Sequence, residues 1–535
     1  MRSRILLVLA ALALVVAVPF LLKPRQNLLA NADNALVIIS PHNEAVRHEF
    51  TTAFVNHYKI KTGRSIRIDW RLPGGTSEIS RFLAGEYLAA FQYAWTSQGK
   101  RWTAEVASAF DDSKIKLPDD QFTDTPAQAA RRSFLNSTTG IGIDLFFGGG
   151  SYDFEQQAKS GRLIPSDVVN AHPEWFAEDS IPQSVSGEQF YDPRALWIGA
   201  CLATFGICYN TDSLQRLGVQ EIPSSWKDLT KPEFYRQVAL ADPTKSGSAA
   251  RAFEMVIQQQ MQELVRTTGR SDEETLSLGW TRGLKIIQAA SANARYFTDS
   301  ASKIPLDVSL GDAAIGMCID FYGRFQSEAV KCGDAPSRLQ YFTPVGGSSV
   351  GVDPIALLRG APNRAAAEEF ISFVLSLEGQ KLWNFKVVAP GGPSKYALRR
   401  LPIRKELYSP EYAALRSDPE VRPYEEARLF TYTAAWTAPV FRVMAFIIRV
   451  ICLDLHHEQT EAWQALVKAG FPREAYERFS DLSEVDYKSS KTILKEVLSS
   501  KNRLDEVRFA KELSDKFRLQ YQEAAQLAKK GAVIK

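Results

Sequence analysis

The chain has 535 residues, 45% hydrophobic and 23% charged, which is the make-up of an ordinary globular protein long enough for more than one domain. A formal net charge of +3, with no basic tail and no interleaved basic and aromatic patch, argues against a nucleic-acid partner. Five cysteines, none in a Cys-x-x-Cys pair, argue against a zinc site. They are read as buried small hydrophobes, with Cys318–Cys332 as the disulfide alternative.

At the N-terminus, Arg2 and Arg4 precede an apolar run from Ile5 to Leu22, and Lys23 and Arg25 follow. These are the charged and apolar regions of an export signal, and the run is also near bilayer-spanning length. Residues 1–32 are therefore read as a signal peptide or an N-terminal membrane anchor, either of which places the remainder outside the cytoplasm. A buried N-terminal helix is disfavoured because the run has no polar face.

Ala35 to Ile39 reads as a strand, Glu44 to Lys61 as an amphipathic helix stopped by Gly63, and Ile66, Ile68 and Trp70 as an alternating second strand. Gly74-Gly75-Thr76 opens another helix, so the order is that of a parallel α/β sheet. Residues 87–140 read as an insertion. Ile141 to Phe147 is a strand ending in Gly148-Gly149-Gly150-Ser151, and Trp197 to Tyr209 is a long β-rich run. The α/β pattern restarts with strand Val238 to Ala241. The Ser/Gly-rich entry Ser246-Gly247-Ser248 follows, and a helix entry of that kind offers free N–H groups and a positive dipole end to an anion.

Gly311 to Arg324 is a glycine-bounded apolar strand running into the polar cluster Asp320-Phe321-Tyr322-Gly323-Arg324. Ligands of open α/β sheets sit outside the carboxyl ends of strands, so this cluster is a candidate site. Val350 to Leu358 is a strand and Ala365 to Leu382 a helix. From about residue 400 the composition turns helical and charged. The apolar run Leu429 to Ile451, which carries Arg442 and Arg449, is read as a buried helix rather than a membrane span. The tail from Asp486 onward is read as a solvated amphipathic helix.

Three stretches together resemble bacterial extracellular solute-binding proteins of ABC importers, in the branch that includes ferric-ion-binding proteins. They are Trp226-Lys227-Asp228-Leu229 with Ala241 to Gly247, then Gly311 to Arg324, then Gly360-Ala361-Pro362-Asn363 with Ala366 to Phe370 and Leu375 to Gln380. The resemblance covers roughly residues 35–405. It implies a two-lobed α/β periplasmic-binding-protein fold (type II-like) with ligand gripped between the lobes, followed here by a C-terminal α-helical extension. The expected layout is lobe 1 at 33–205, lobe 2 at 206–340, a return to lobe 1 at 341–400 and the extension at 401–535.

The ferric-binding pattern, carried over residue by residue, finds His42 in place. It finds Gly149 where the pattern has Glu, and Phe321-Tyr322 where it has two tyrosines. Ferric iron prefers hard anionic oxygen ligands, so iron is not expected and neither a metal nor a cofactor is assigned. The expected ligand is a small anionic or polar solute. Its expected contacts are Ser40, His42, Gly75, Thr76, Gly149, Ser151, Ser246, Gly247, Ser248, Ser300, Asp320, Tyr322 and Arg324, with Arg324 pairing an anionic group. The implied role is delivery of that solute to ABC transporter permease subunits. An exported enzyme and a membrane-anchored sensor or scaffold are the alternatives, but no His-Glu-x-x-His supports chemistry.

Overall fold

The computed structural model describes residues 32–333, 335–500 and 502–533, so the N-terminal apolar run lies outside the described residues. The chain builds two α/β lobes and visits each of them twice. In the first pass, β1 (Asn34–Ile39), α1 (Glu44–Thr62), β2 (Ile66–Arg71), α2 (Thr76–Thr96), β3 (Leu145–Phe147), α3 (Ser151–Ser160), β4 (Leu163–Ile164) and β5 (Ile198–Ala203) belong to lobe 1. Strand β6 (Phe205–Asn210) begins lobe 2. It is followed by β7 (Val238–Ala241), α4 (Gly247–Thr268), α5 (Glu273–Ala292), β8 (Ala294–Thr298), α6 (Lys303–Leu310), β9 (Ile315–Ile319), α7 (Asp320–Ala329) and β10 (Leu339–Phe342). The chain then returns to lobe 1 for β11 (Gly351–Leu358), α8 (Arg364–Leu375), α9 (Leu377–Asn384) and β12 (Leu401–Pro402).

The lobe 1 sheet has seven strands in the order β12-β5-β11-β3-β1-β2, with β4 also on β11. Strands β1, β2 and β3 are mutually parallel, while β11 runs antiparallel to β3, β4 and β5. The lobe 2 sheet has five strands, β8-β7-β9-β6-β10, in which β6 alone runs antiparallel to the other four. The β-rich run from Trp197 is therefore two strands in two sheets, divided at Thr204. Every residue of both strands is buried, so apolarity carries no sign of the division. The helix expected over 365–382 is likewise two, because the Ser376 hydroxyl caps a new helix by accepting from the Gly379 amide at 3.2 Å.

Two further expectations need correction. Residues 87–140 are not an appended insertion: α2 continues to Thr96, and Tyr87, Phe91, Phe110 and Phe134 pack in the lobe 1 core. The boundary at 401 is also too early. Leu401–Pro402 pairs with β5, and Val421 and Ala427 belong to the lobe 1 core.

Beyond these the chain crosses to lobe 2 a second time and adds α10 (Phe441–Ile448), α11 (His456–Ala469) and α12 (Arg503–Val533). Ala434–Leu453 is apolar enough to cross a membrane by length and composition, with mean hydropathy 1.7, yet 67% of it is buried inside the protein. Nor is the tail merely solvated. Leu513, Phe517, Tyr521, Ala524 and Ala528 of α12 share one core with Phe253 and Trp280 of α4 and α5. Polar side chains of α5 fix this junction: Gln288 donates to the Phe479 carbonyl at 3.0 Å and to the Tyr521 hydroxyl at 3.1 Å, and the Trp463 indole donates to Asn293 at 2.7 Å.

If the C-terminal helices complete the lobe 2 core, Trp463→Ala should lower unfolding free energy in urea by about 3–5 kcal/mol, as for any core tryptophan. A loss below about 0.5 kcal/mol, the scale of a surface substitution, would mark them as an appendage.

Candidate functional site

Six strand-to-helix turns open on one cleft of about 820 Å³ between the lobes. Lobe 1 presents the N-terminal ends of α1, α2 and α3 through His42, Thr76 and Ser151, and lobe 2 presents those of α4, α6 and α7. Each helix follows a strand whose carboxyl end faces the cleft, so backbone amides and positive dipole ends converge there. The Ser246 hydroxyl caps α4 by accepting from the Ala249 amide at 3.3 Å. The Gly247 and Ser248 amides, which precede the first intrahelical bond, have no acceptor among the described residues. Because Ser246 is a cap, its replacement also weakens α4, so it is not neutral to stability.

Of the residues singled out in the sequence, the cleft wall holds His42, Gly75, Thr76, Gly149, Ser151, Ser246, Gly247, Ser248, Ser300 and Tyr322. It does not hold Ser40, Asp320 or Arg324. Ser40 is fully buried and accepts from the His42 amide at 3.0 Å. Asp320 and Arg324 fall on the back of α7. Its cleft face is Phe321, Tyr322, Phe325 and Gln326, two pairs four residues apart, and a residue pair at 320 and 324 must face the other way. Reading 320–324 as an irregular cluster rather than a helical turn produced the error, and helical spacing is the signal that would have added Phe325 and Gln326. Arg324 lines a separate cavity of about 260 Å³ behind the hinge, with Asp418 at 3.7 Å and the Tyr341 ring at 5.4 Å.

The sequence reading also missed Glu78, Lys245, Arg251, Asp299 and Asp353, which line the cleft. Arg251 lies four residues after Gly247, hence on the same face of α4. Lys245 pairs with Asp299 at 2.8 Å and Glu78 with Arg81 at 2.8 Å. The wall is thus of mixed charge, with amide donors, carboxylate acceptors and an aromatic side formed by Phe205, Phe321, Tyr322 and Phe325.

The floor is set by Arg400, which is fully buried, paired with Asp353, and 3.9 Å from the Phe321 ring centroid. It donates to His42 Nε2 at 2.9 Å. A guanidinium cannot accept, so Nε2 is the acceptor and the imidazole proton sits on Nδ1. Burial, then the Arg400 charge, holds the His42 pKa well below its usual value, so the ring is neutral. The glycines before α3 follow from these neighbours. Gly148 and Gly149 have φ of 92° and 120°, and a Cβ on either would lie 2.5 Å from His42 or Thr76 respectively. No side chain fits at 149, and none could supply a metal ligand there.

Asp320 has neither carboxylate oxygen hydrogen-bonded, and burial raises its pKa to about 6 although Arg324 and Arg400 oppose the shift. An acid with a raised folded-state pKa weakens the fold as pH rises from the unfolded value of 3.8 towards 6, because only the unfolded chain then gains by ionising. Asp320→Asn should therefore match the wild type near pH 4 and exceed it by up to roughly 3 kcal/mol at pH 7.5 in urea melts. A difference independent of pH would show that Asp320 is not the titrating group.

The profile of a family described as bacterial extracellular solute-binding protein matches residues 142–418. An uncharacterized protein of Haemophilus influenzae is 27% identical over 241 residues, covering 45% of this chain and 60% of that protein. The iron uptake protein A1 of a Synechocystis strain is 24% identical over 316 residues, covering 53% of this chain and 82% of that protein. Among solved structures, the periplasmic binding protein AfuA of Actinobacillus pleuropneumoniae, with fructose-6-phosphate bound, aligns at TM-score 0.49 and 16% identity over 79% of this chain and 100% of its own. Iron-bound HitA of Pseudomonas aeruginosa aligns at 0.45 and 16% identity over 77% and 99%. With more than half of its length matched by the family profile, across both lobes and the cleft between them, the chain belongs to the bacterial extracellular solute-binding proteins.

Proposed function

We propose that the protein captures a small polar solute carrying one anionic group in the interlobe cleft, outside the cytoplasm, and delivers it to the permease subunits of an ABC transporter. The observation that carries the reading is the convergence of helix N-termini with the unbonded Gly247 and Ser248 amides. Free amides at a helix start suit phosphate or carboxylate oxygens. Elsewhere on the wall, Asp299 and Glu78 accept from hydroxyl or amine groups, and Phe321, Tyr322 and Phe325 pack against the apolar part of the solute. The role is binding without chemistry: His42 is neutral with its Nε2 lone pair occupied, and among the described residues no hydroxyl lining the cleft is hydrogen-bonded to a carboxylate or imidazole. Residues 5–22 supply the export signal in this reading, with cleavage or retention as an anchor as its two forms.

The name of the Synechocystis relative raises iron as the cargo, and the donor set does not fit it. His42 offers no free lone pair at Nε2, Phe321 has no oxygen, and Asp353 is paired to Arg400. Tyr322 is the one unengaged oxygen ligand of the ferric pattern, and burial raises its pKa, which opposes the phenolate that iron needs.

Small molecules released by denaturing the purified protein should be identified by mass spectrometry, then titrated calorimetrically into the refolded chain. Release of an anionic solute is expected. Ser248→Asp, which sets a carboxylate at the start of α4, should weaken its binding at least tenfold, about 1.4 kcal/mol. A neutral or cationic solute whose affinity survives Ser248→Asp would overturn the assignment.

Ferric citrate added to the ligand-free protein should give no intense visible tyrosinate band. A stoichiometric band that disappears in Tyr322→Phe would establish iron as cargo instead.

A further inference from the structure

The two lobes are joined by Thr204, by 343–350, and by a third connection at about 427–432, after which the C-terminal helices contact lobe 1 as well as lobe 2. Tyr152 of α3, in lobe 1, packs on Phe441 of α10 with ring centroids 4.6 Å apart. A short lobe 1 hairpin, Ser184–Val185 with Glu188–Gln189, reaches the same segment: the Tyr432 amide donates to the Ser186 carbonyl at 2.8 Å. From that hairpin Glu188 pairs with Arg251 of α4, and Arg251 is held in turn by Glu254 at 2.6 Å and by the Tyr432 ring at 4.5 Å. The Tyr432 hydroxyl donates to Glu254 at 2.9 Å, and Ser349 of the second connection donates to Glu188 at 2.5 Å. Glu188, Arg251 and Glu254 are all buried.

We propose that the C-terminal segment is an intramolecular clasp that keeps the two lobes closed over the cleft without any solute. In a hinged two-lobe protein the ligand ordinarily supplies the contacts that favour closure. Here the chain supplies them itself. Opening would part Tyr152 from Phe441 and would take Arg251 away from Glu188, leaving that buried carboxylate with the Ser349 hydroxyl alone while Arg251 keeps Glu254, which is unfavourable. At the rim the backbones already approach closely: a Cβ on Gly75 of lobe 1 would lie 3.6 Å from the Lys245 carbonyl of lobe 2. The buried polar groups are satisfied by one another across four stretches distant in sequence, which gives the closed arrangement a specific geometry rather than a general stickiness. The clasp does not depend on the nature of the solute, and it assigns the C-terminal helices a role in the lobe equilibrium that completing a core does not require.

The test uses the full chain, stripped of solute by unfolding and refolding. Spin labels are placed on Cys332, the exposed native cysteine of lobe 2, and on Ser97→Cys in lobe 1. Pulsed electron–electron distance measurements should show one population at the closed separation for the otherwise wild-type chain. Tyr152→Ala and Glu188→Gln, made separately, should each add a population longer by more than about 2 Å, the scale of a domain rearrangement. Tyr152 is half-buried and outside the central ion pair, so its variant decides the matter if Glu188→Gln proves unstable. An open population already dominant in the solute-free wild-type background, or an unchanged distribution in the folded variants, would overturn the clasp.

Discussion

A single buried cation organises the middle of this molecule. Arg400 has no solvent contact, and its charge is tolerable there because Asp353 is paired with it and because Phe321 and Trp383 lie beside its planar face at 3.9 Å and 5.4 Å from their ring centroids. Its partners come from different parts of the chain: His42 from the turn after β1, Asp353 from β11, and Phe321 from the first turn of α7. Arg400 therefore pins the floor of lobe 1 to the edge of lobe 2. The guanidinium also settles what the floor can do, since it takes the His42 lone pair and stacks on a phenyl ring. A cation in that place and a ferric ion coordinated by His42 exclude one another electrostatically.

The wall above that floor carries both signs of charge, and most of its side-chain charges are already paired, as Lys245 is with Asp299 and Arg251 with Glu188 and Glu254. What remains open to a solute is chiefly backbone: the amides at the start of α4 and the N-terminal ends that surround them. Recognition through helix ends rather than through a free guanidinium favours one compact anionic group over an extended polyanion. Asp299 and Glu78, besides their pairing with Lys245 and Arg81, can still accept from hydroxyl or amine donors at the wall.

The C-terminal helices change the usual proportions of a two-lobed protein. Lobe 2 has a five-stranded sheet and borrows much of its hydrophobic core from residues beyond 430, with Met444, Ile451, Trp463 and Tyr521 packed in the same cluster as Trp226 and Trp280. Sequence separation is the price of this arrangement: its contacts join residues about 200 apart, such as Trp280 and the Val485 carbonyl, and long loops must close before they form.

Local pattern was enough for much of this protein. The alternation in Ile66-Arg67-Ile68-Asp69-Trp70, the amphipathic Glu44 to Thr62 and the Ser/Gly helix entries declare their elements because period and capping are properties of neighbouring residues. The order of those elements, with the motifs around 226–247 and 360–380, was enough for the two-lobed class, and the turns after strands pointed to ten residues of the cleft wall. Tertiary structure alone decided the rest. A buried strand reads the same in either sheet, so the division at Thr204 was invisible. The faces of α7 depended on where its first turn began, which sent Asp320 and Arg324 behind the cleft. Arg400, Glu188 and Arg251 look like ordinary surface charges in the sequence, because a charged residue shows nothing locally of the partner that allows it to be buried. The same holds for the apolar face of α12: the period announces that a face exists, and only the packed lobe determines whether it meets water, a membrane or, as here, the core of the lobe itself.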